Sequence, residues 1–170
     1  MLKRLSFLFL LVSFAMNAAG QAQERESDLK AVFIYNFTRY IDWGNTAERE
    51  FIIGIISPST IDRALTEISK TNMVGNKRIV IKHFSKPEDI SYCNILFIPK
   101  NCPFQLSAVL EKIDKGTLTV SEETGFAKQG TAFNFIVIND KLKFEANLKA
   151  IYAAGLKAGS QLLKLAIIID

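Results

Sequence analysis

Hydrophobic and polar positions alternate most cleanly in the second half of the chain. Leu142, Phe144 and Ala146 interleave with Lys143, Glu145 and Asn147, the period of a strand with one wet face. Just upstream, Ala132 to Ile138 sets Phe133, Phe135 and Val137 on one face and Ile136 and Ile138 on the other, so that strand calls for cover on both faces. Asn139 and Asp140 between them supply turn chemistry, which predicts an antiparallel hairpin. Leu118 to Ser121 is a short apolar run preceding it.

Continuous apolar runs at Phe51 to Ile56 and Ile95 to Ile98 read as strands buried on both faces. Arg78 to Phe84 alternates, with Ile79 and Ile81 set against Arg78, Val80 and Lys82. Helical spacing appears first over Glu24 to Trp43, with Ser27 as N-cap and Leu29, Val32, Phe33, Phe37, Tyr40 and Ile41 as the inward stripe. Asn36 interrupts that stripe, so it is expected buried and hydrogen-bonded, because an unpaired amide there costs about 1–3 kcal/mol. Further helices are expected from Ile61 to Ser69, along Leu106, Val109, Leu110 and Ile113, and after Asn147 with the stripe Leu148, Ile151, Tyr152, Gly155, Leu156 and Gly159. Gln161 to Ile169 is apolar except for Lys164 and is expected buried, in this chain or against a partner. Strands separated by helices predict a three-layer α/β sandwich: a mostly parallel central sheet with a C-terminal antiparallel hairpin and helices on both faces.

The start of the chain changes this picture. Lys3 and Arg4 precede the apolar run Leu5 to Met16, followed by Ala18, Ala19, Gly20 and Ala22. That is the pattern of a secretory signal peptide over residues 1–22, too short to span a bilayer, which takes about 20 apolar residues. Cleavage after Gly20 or Ala22 is expected, leaving 23–170 as a single domain of a soluble periplasmic protein. Loss of Lys3 and Arg4 lowers the net charge from +4 to +2, too small a bias to argue for nucleic acid. In an oxidising compartment Cys93 and Cys102 leave two readings open, an internal disulfide and an unpaired buried Cys93. A strand over Asn94 to Ile98 carries the chain about 16 Å at roughly 3.3 Å per residue, and a bridge allows only about 7 Å between Cα atoms.

Candidate chemistry is sparse. Gly125 to Thr131, GFAKQGT, has a phosphate loop's glycine spacing but lacks the lysine that contacts phosphate, so its glycines read as a tight connection and no cofactor is expected. Glu122 and Glu123 are adjacent acids read as a solvated turn or helix start rather than an acid/base pair. Ser121 has no GxSxG elbow, and His83 is the only histidine, so no catalytic or metal residues are assigned. Ligands of open α/β sheets sit outside the carboxyl ends of parallel strands. Those ends present Ser57, Ser59 and Thr60, then Lys100 and Asn101, then Ser121 and Glu122. Ser59, Thr60, Glu122, Gly125 and Phe126 are the candidate ligand or partner contacts.

Four stretches together resemble the YfiR family of exported bacterial proteins. These are Lys30 to Phe37 continuing through Tyr40 to Trp43; Cys93 to Ile98; Leu118 to Ser121 with Gly125 to Ala127, Gly130, Phe133 and Phe135; and Phe144 to Asn147 with Ala154 to Leu156 and Ser160 to Ala166. The family usually has glycine where Thr131 stands. The resemblance implies a non-enzymatic periplasmic regulator that represses a membrane-bound diguanylate cyclase by protein contact and is itself released by an outer-membrane lipoprotein. It also implies a homodimer. A sensor kinase periplasmic domain is a second partner class, and a periplasmic small-ligand sensor using the strand-end pocket is the alternative function.

Overall fold

The computed structural model describes residues 2–44 and 48–169, with side-chain surroundings from residue 21 onward. The side chains of most of the predicted signal peptide thus lie outside the described residues. Helix α1 runs from Leu2 to Tyr40 and leads directly into the two-residue strand β1 (Ile41–Asp42). Ser27 is therefore inside a helix and caps nothing, a correction to the predicted start; no proline interrupts residues 2–40 to stop the helix earlier. The inward stripe holds at Phe37 and Ile41, which are buried, and in part at Phe33, and is displaced elsewhere. Ala31, Ile34 and Phe37 are fully buried while Leu29, Val32 and Tyr40 are exposed, and Asn36 is only half-buried. Small Ala31 lets the helix lie close to the sheet.

The sheet begins with β2 (Glu50–Ile56), followed by α2 (Ile61–Thr71), the short β3 (Met73–Val74) and β4 (Lys77–Phe84). β5 (Ile95–Ile98), α3 (Leu106–Leu110) and β6 (Leu118–Ser121) come next. β7 (Phe133–Ile138) and β8 (Lys141–Asn147) form the predicted hairpin, turning through Asn139 and Asp140, both with positive φ (50° and 57°). The chain closes with α4 (Leu148–Ala153), β9 (Lys157–Ala158), α5 (Ser160–Leu163) and β10 (Ile167–Ile169). The eight-stranded sheet has the order β10-β8-β7-β6-β5-β2-β4-β3; β4, β2, β5, β6 and β7 are parallel. β1 and β9 pair separately.

Period-two alternation divides the core. Phe51, Ile53, Ile55, Ile95, Phe97, Leu118, Val120, Phe133, Phe135 and Phe144 face α1, α2, α4 and α5 in one cluster. Ile56, Leu96 and Ile98 face the other way, onto Leu106 and Val109 of α3. The sandwich is therefore three layers with unequal cover. Gly54 sits mid-strand on the thinner side because a Cβ there would lie 2.6 Å from the Phe84 ring and 3.1 Å from Cys93 Sγ.

The C-terminal region departs from expectation twice. α4 is capped as predicted, Asn147 Oδ1 accepting from the Ala150 amide at 3.0 Å, but it ends at Ala153. Gly155 takes φ 76° to turn the chain, and Gly159 N–H donates to Tyr40 O at 2.7 Å, where a Cβ would stand 3.2 Å from that oxygen. The two glycines end a helix and seat a strand; they do not extend a stripe. The segment expected buried is mostly open, with Leu165 68%, Ile168 41% and Ile167 36% exposed, because β10 is the sheet's last strand. Val137 is likewise exposed, at the far end of its strand.

Candidate functional site

The first crossover places β4 on one side of β2, and the next places β5 on the other. Loops leaving the carboxyl ends of β2 and β5 thus part in opposite directions, and a crevice opens between them. The crevice is present, with a volume of about 310 Å³. Pro58, Ser59 and Thr60 line it after β2, Pro99, Lys100 and Asn101 after β5, and Glu122 after β6; Gln23, Glu26, Ser27 and Lys30 of α1 close the remaining wall. Ser57, the first residue after β2, and Asn101, the third after β5, hold positive φ (72° and 59°).

At its base Lys30 Nζ is bound by Glu26 Oε1 at 2.6 Å and by Glu122 Oε2. The Lys30 and Glu122 side chains are each only 12% exposed. Glu122 Oε1 also accepts from the Lys100 amide at 2.9 Å. Burial by itself would lower the Lys30 pKa, but the hydrogen bonds and charges of Glu122 and Glu26 outweigh it and leave the ammonium above its usual value. Glu122 is therefore a tethered anion, not the solvated turn residue expected. Glu123 accepts from the Thr124 amide at 3.1 Å and, through Oε2, from the Asn101 amide at 3.5 Å, so both acids are engaged by backbone donors rather than set up as an acid/base pair. Above this base the Ser27 and Thr60 hydroxyls meet at 2.8 Å, and Arg63 reaches Asp28 Oδ1 at 2.8 Å.

Of the candidate contacts, Ser59, Thr60 and Glu122 line the crevice while Gly125 and Phe126 do not. Phe126 packs into the α3-side cluster, and Gly125 and Gly130 take φ 84° and 116° to fold GFAKQGT over the second face of β6 and β7. Beneath that loop the sheet turns polar: Ser121 donates to Asn134 Oδ1 at 2.7 Å and meets Thr131 Oγ1 at 2.8 Å, and Asn134 Nδ2 donates to Glu145 Oε2 at 2.9 Å. Thr131 completes this seam. Asn147 Nδ2 ties the loop down through Ala127 O at 2.7 Å. Ser121 is fully buried and structural.

Both cysteines are free thiols. Burial pushes Cys93 up to about 12, so it stays protonated at neutral pH. His83 bonds Asp62 Oδ1 at 2.8 Å on the surface, outside the crevice. Lys30, Glu26 and Ser27 were missed as site residues by sequence reasoning. The only available signal was polar residues interrupting a helix stripe four positions apart.

A family model described as YfiR/HmsC-like matches residues 27–167. Among solved structures, a conserved domain protein from Vibrio cholerae O1 biovar El Tor is similar with a TM-score of 0.54 at 10% identity, over 85% of this chain and 60% of that one. This chain thus spans about three-fifths of that relative's length, and the likeness bears on the fold alone.

Proposed function

This chain belongs to the YfiR/HmsC-like family, and from that membership we propose that it is an exported, non-enzymatic regulator that represses a membrane-bound diguanylate cyclase by docking against the enzyme's periplasmic part. The observation that carries the reading is the extent of the match, residues 27–167, which takes in the last part of α1, the sheet from β2 through β8 with the start of β10, and every crevice residue except Gln23 and Glu26. The family supports a periplasmic regulator of diguanylate cyclase signalling in general. Repression by contact, a homodimer and release by an outer-membrane lipoprotein are the finer parts of the proposal, as is removal of residues 1–22 on export. Among the described residues no helix is long and apolar enough to cross a membrane.

Docking would act by differential affinity. A regulator that binds the inactive arrangement of its partner more tightly than the active one shifts the population toward inactivity by that difference alone. The exposed Ile167 and Ile168 on the open sheet edge, with Leu165 in the turn before it, support a docking protein, since that region has apolar surface left to bury. Deleting the gene in its host should raise cellular cyclic di-GMP, and plasmid-borne protein should restore it. An unchanged level on deletion counts against repression of a cyclase.

A further inference from the structure

Helix α1 carries two apolar stripes, and the fold uses one of them. Ala31, Ile34 and Phe37 face the sheet, whereas Leu29, Val32 and Tyr40 point the other way, each at least 41% exposed. A helix that is apolar on both sides needs cover on both, and among the described residues nothing covers the second. Arg25, Leu29, Val32, Asn36 and Arg39 follow one another in alternating steps of four and three, the spacing that keeps a seam turned toward a neighbouring helix, with Tyr40 beside its end. The line is about 22 Å long at 1.5 Å per residue. Its charges are of one sign. Arg25 and Arg39 are exposed at its two ends; neither has a carboxylate partner among the described residues, and Arg39 rests over the Tyr35 ring, 5.6 Å from the centroid. The acids of this segment lie off the line: Glu26 holds Lys30, Asp28 holds Arg63, Asp42 accepts from the Gly44 amide, and Glu24 projects roughly a third of a turn away. Within the line, the half-buried Asn36 amide has no hydrogen-bond partner among the described residues, so its donors and acceptor are left to whatever lies over the helix.

We propose that this outer face of α1 is a docking site for a helix of a partner protein, one that carries an apolar stripe bracketed by acidic residues. The inference rests on the reading of this chain as a docking protein and names the face it uses and the chemistry that face selects. A second copy of the chain fits it poorly. Parallel pairing sets Arg25 and Arg39 each against itself, and antiparallel pairing sets one against the other, so like charges meet either way. A lipid surface accepts the arginines but leaves the Asn36 amide against hydrocarbon without a partner, a cost that a polar side chain on a docked helix removes.

The test is fluorescence anisotropy of the purified protein with two labelled synthetic peptides, each with leucines at alternating steps of three and four, one bracketed by glutamates and the other by lysines. The glutamate peptide should bind saturably and about tenfold or more tighter than the lysine peptide. Val32→Glu should weaken that binding by about tenfold or more. Ile138→Glu, at an exposed isoleucine on the opposite face of the sheet, should leave it unchanged. Arg25→Glu combined with Arg39→Glu should reverse the preference in favour of the lysine peptide, a gain that misfolding cannot produce. No saturable binding of the glutamate peptide, equal binding of the two peptides, or equal weakening by Val32→Glu and Ile138→Glu overturns the proposal. So does finding, in place of peptide binding, self-association or attachment to phosphatidylglycerol vesicles that Val32→Glu abolishes. The cyclic di-GMP measurement tests the cyclase reading by itself, so the two can fail separately.

Discussion

The later part of α1, residues 21–40, is held to the body of the protein by different forces in its two halves. Its C-terminal half is fixed by burial: Phe37 is fully enclosed, with ring centroids 4.6 Å from Phe133, 5.1 Å from Phe144 and 6.1 Å from Phe135. Its N-terminal half is fixed by directed polar links: Ser27 to Thr60, Asp28 to Arg63, and Lys30 to Glu122. Aromatic packing is non-directional and cannot be replaced piecemeal by a ligand or partner. Hydroxyl and charge contacts can be exchanged for equivalents. One helix therefore serves the fold at one end and borders the candidate site at the other.

The aromatic half should give the largest effect. Phe37→Ala is expected to destabilise the protein by about 3–5 kcal/mol through lost burial and an unfilled cavity. Urea denaturation measures the change, and amide exchange should quicken across the whole of residues 21–40, because the cluster belongs to the global core. A loss confined to one half of the helix would contradict that division.

Lys30→Met comes next, at about 2–3 kcal/mol, because it leaves the Glu122 carboxylate mostly buried with only the Lys100 amide to satisfy it. Replacing both partners, Lys30→Met with Glu122→Leu, should recover most of the loss, since a buried ion pair is often no better than apolar groups of its size. Exchange should quicken over residues 21–30 and stay slow over 33–40. The pH dependence has a definite sign. The folded-state pKa of Lys30 is raised above the ordinary 10.5, so its contribution is complete below that value and is lost only as pH climbs through the higher folded value. The gap between wild type and Lys30→Met should be constant from neutrality to pH 9 and close only in stronger alkali.

This division also marks what the sequence could convey. β2, β4, β5, β6 and the β7–β8 hairpin were legible because each has a local period of two or an unbroken apolar run. Ser59, Thr60 and Glu122 followed from a topological rule applied to those strands. The register of α1 was legible only toward its end, where Phe37 and Ile41 are buried as expected: earlier, large Leu29 and Val32 suggested the inward face, but Ala31 and Ile34 occupy it, and which stripe turns inward depends on a sheet formed much later in the chain. Lys30 escaped notice for the same reason, its partner Glu122 being 92 residues away. The terminal apolar run misled because three of its residues form an edge strand, where hydrophobicity does not ensure cover.

The smallest expected effect is also the sharpest test of the contrast between the halves. Ser27 is buried and its hydroxyl meets that of Thr60 at the crevice wall, so Ser27→Ala removes one neutral hydrogen bond, about 0.5–1.5 kcal/mol. Thr60 lines the crevice, where solvent can replace the lost partner, which places the change toward the lower figure. The exposed Asp28–Arg63 pair, both side chains more than half exposed, sets the baseline at about 0–1 kcal/mol. A double-mutant cycle with Thr60→Val isolates the hydroxyl contact, and the coupling should be a fraction of that between Lys30 and Glu122. If the hydroxyl coupling instead equals the charged pair's, the N-terminal half is clamped evenly along its length, and Lys30 loses its status as the contact that decides whether that half of α1 stays down.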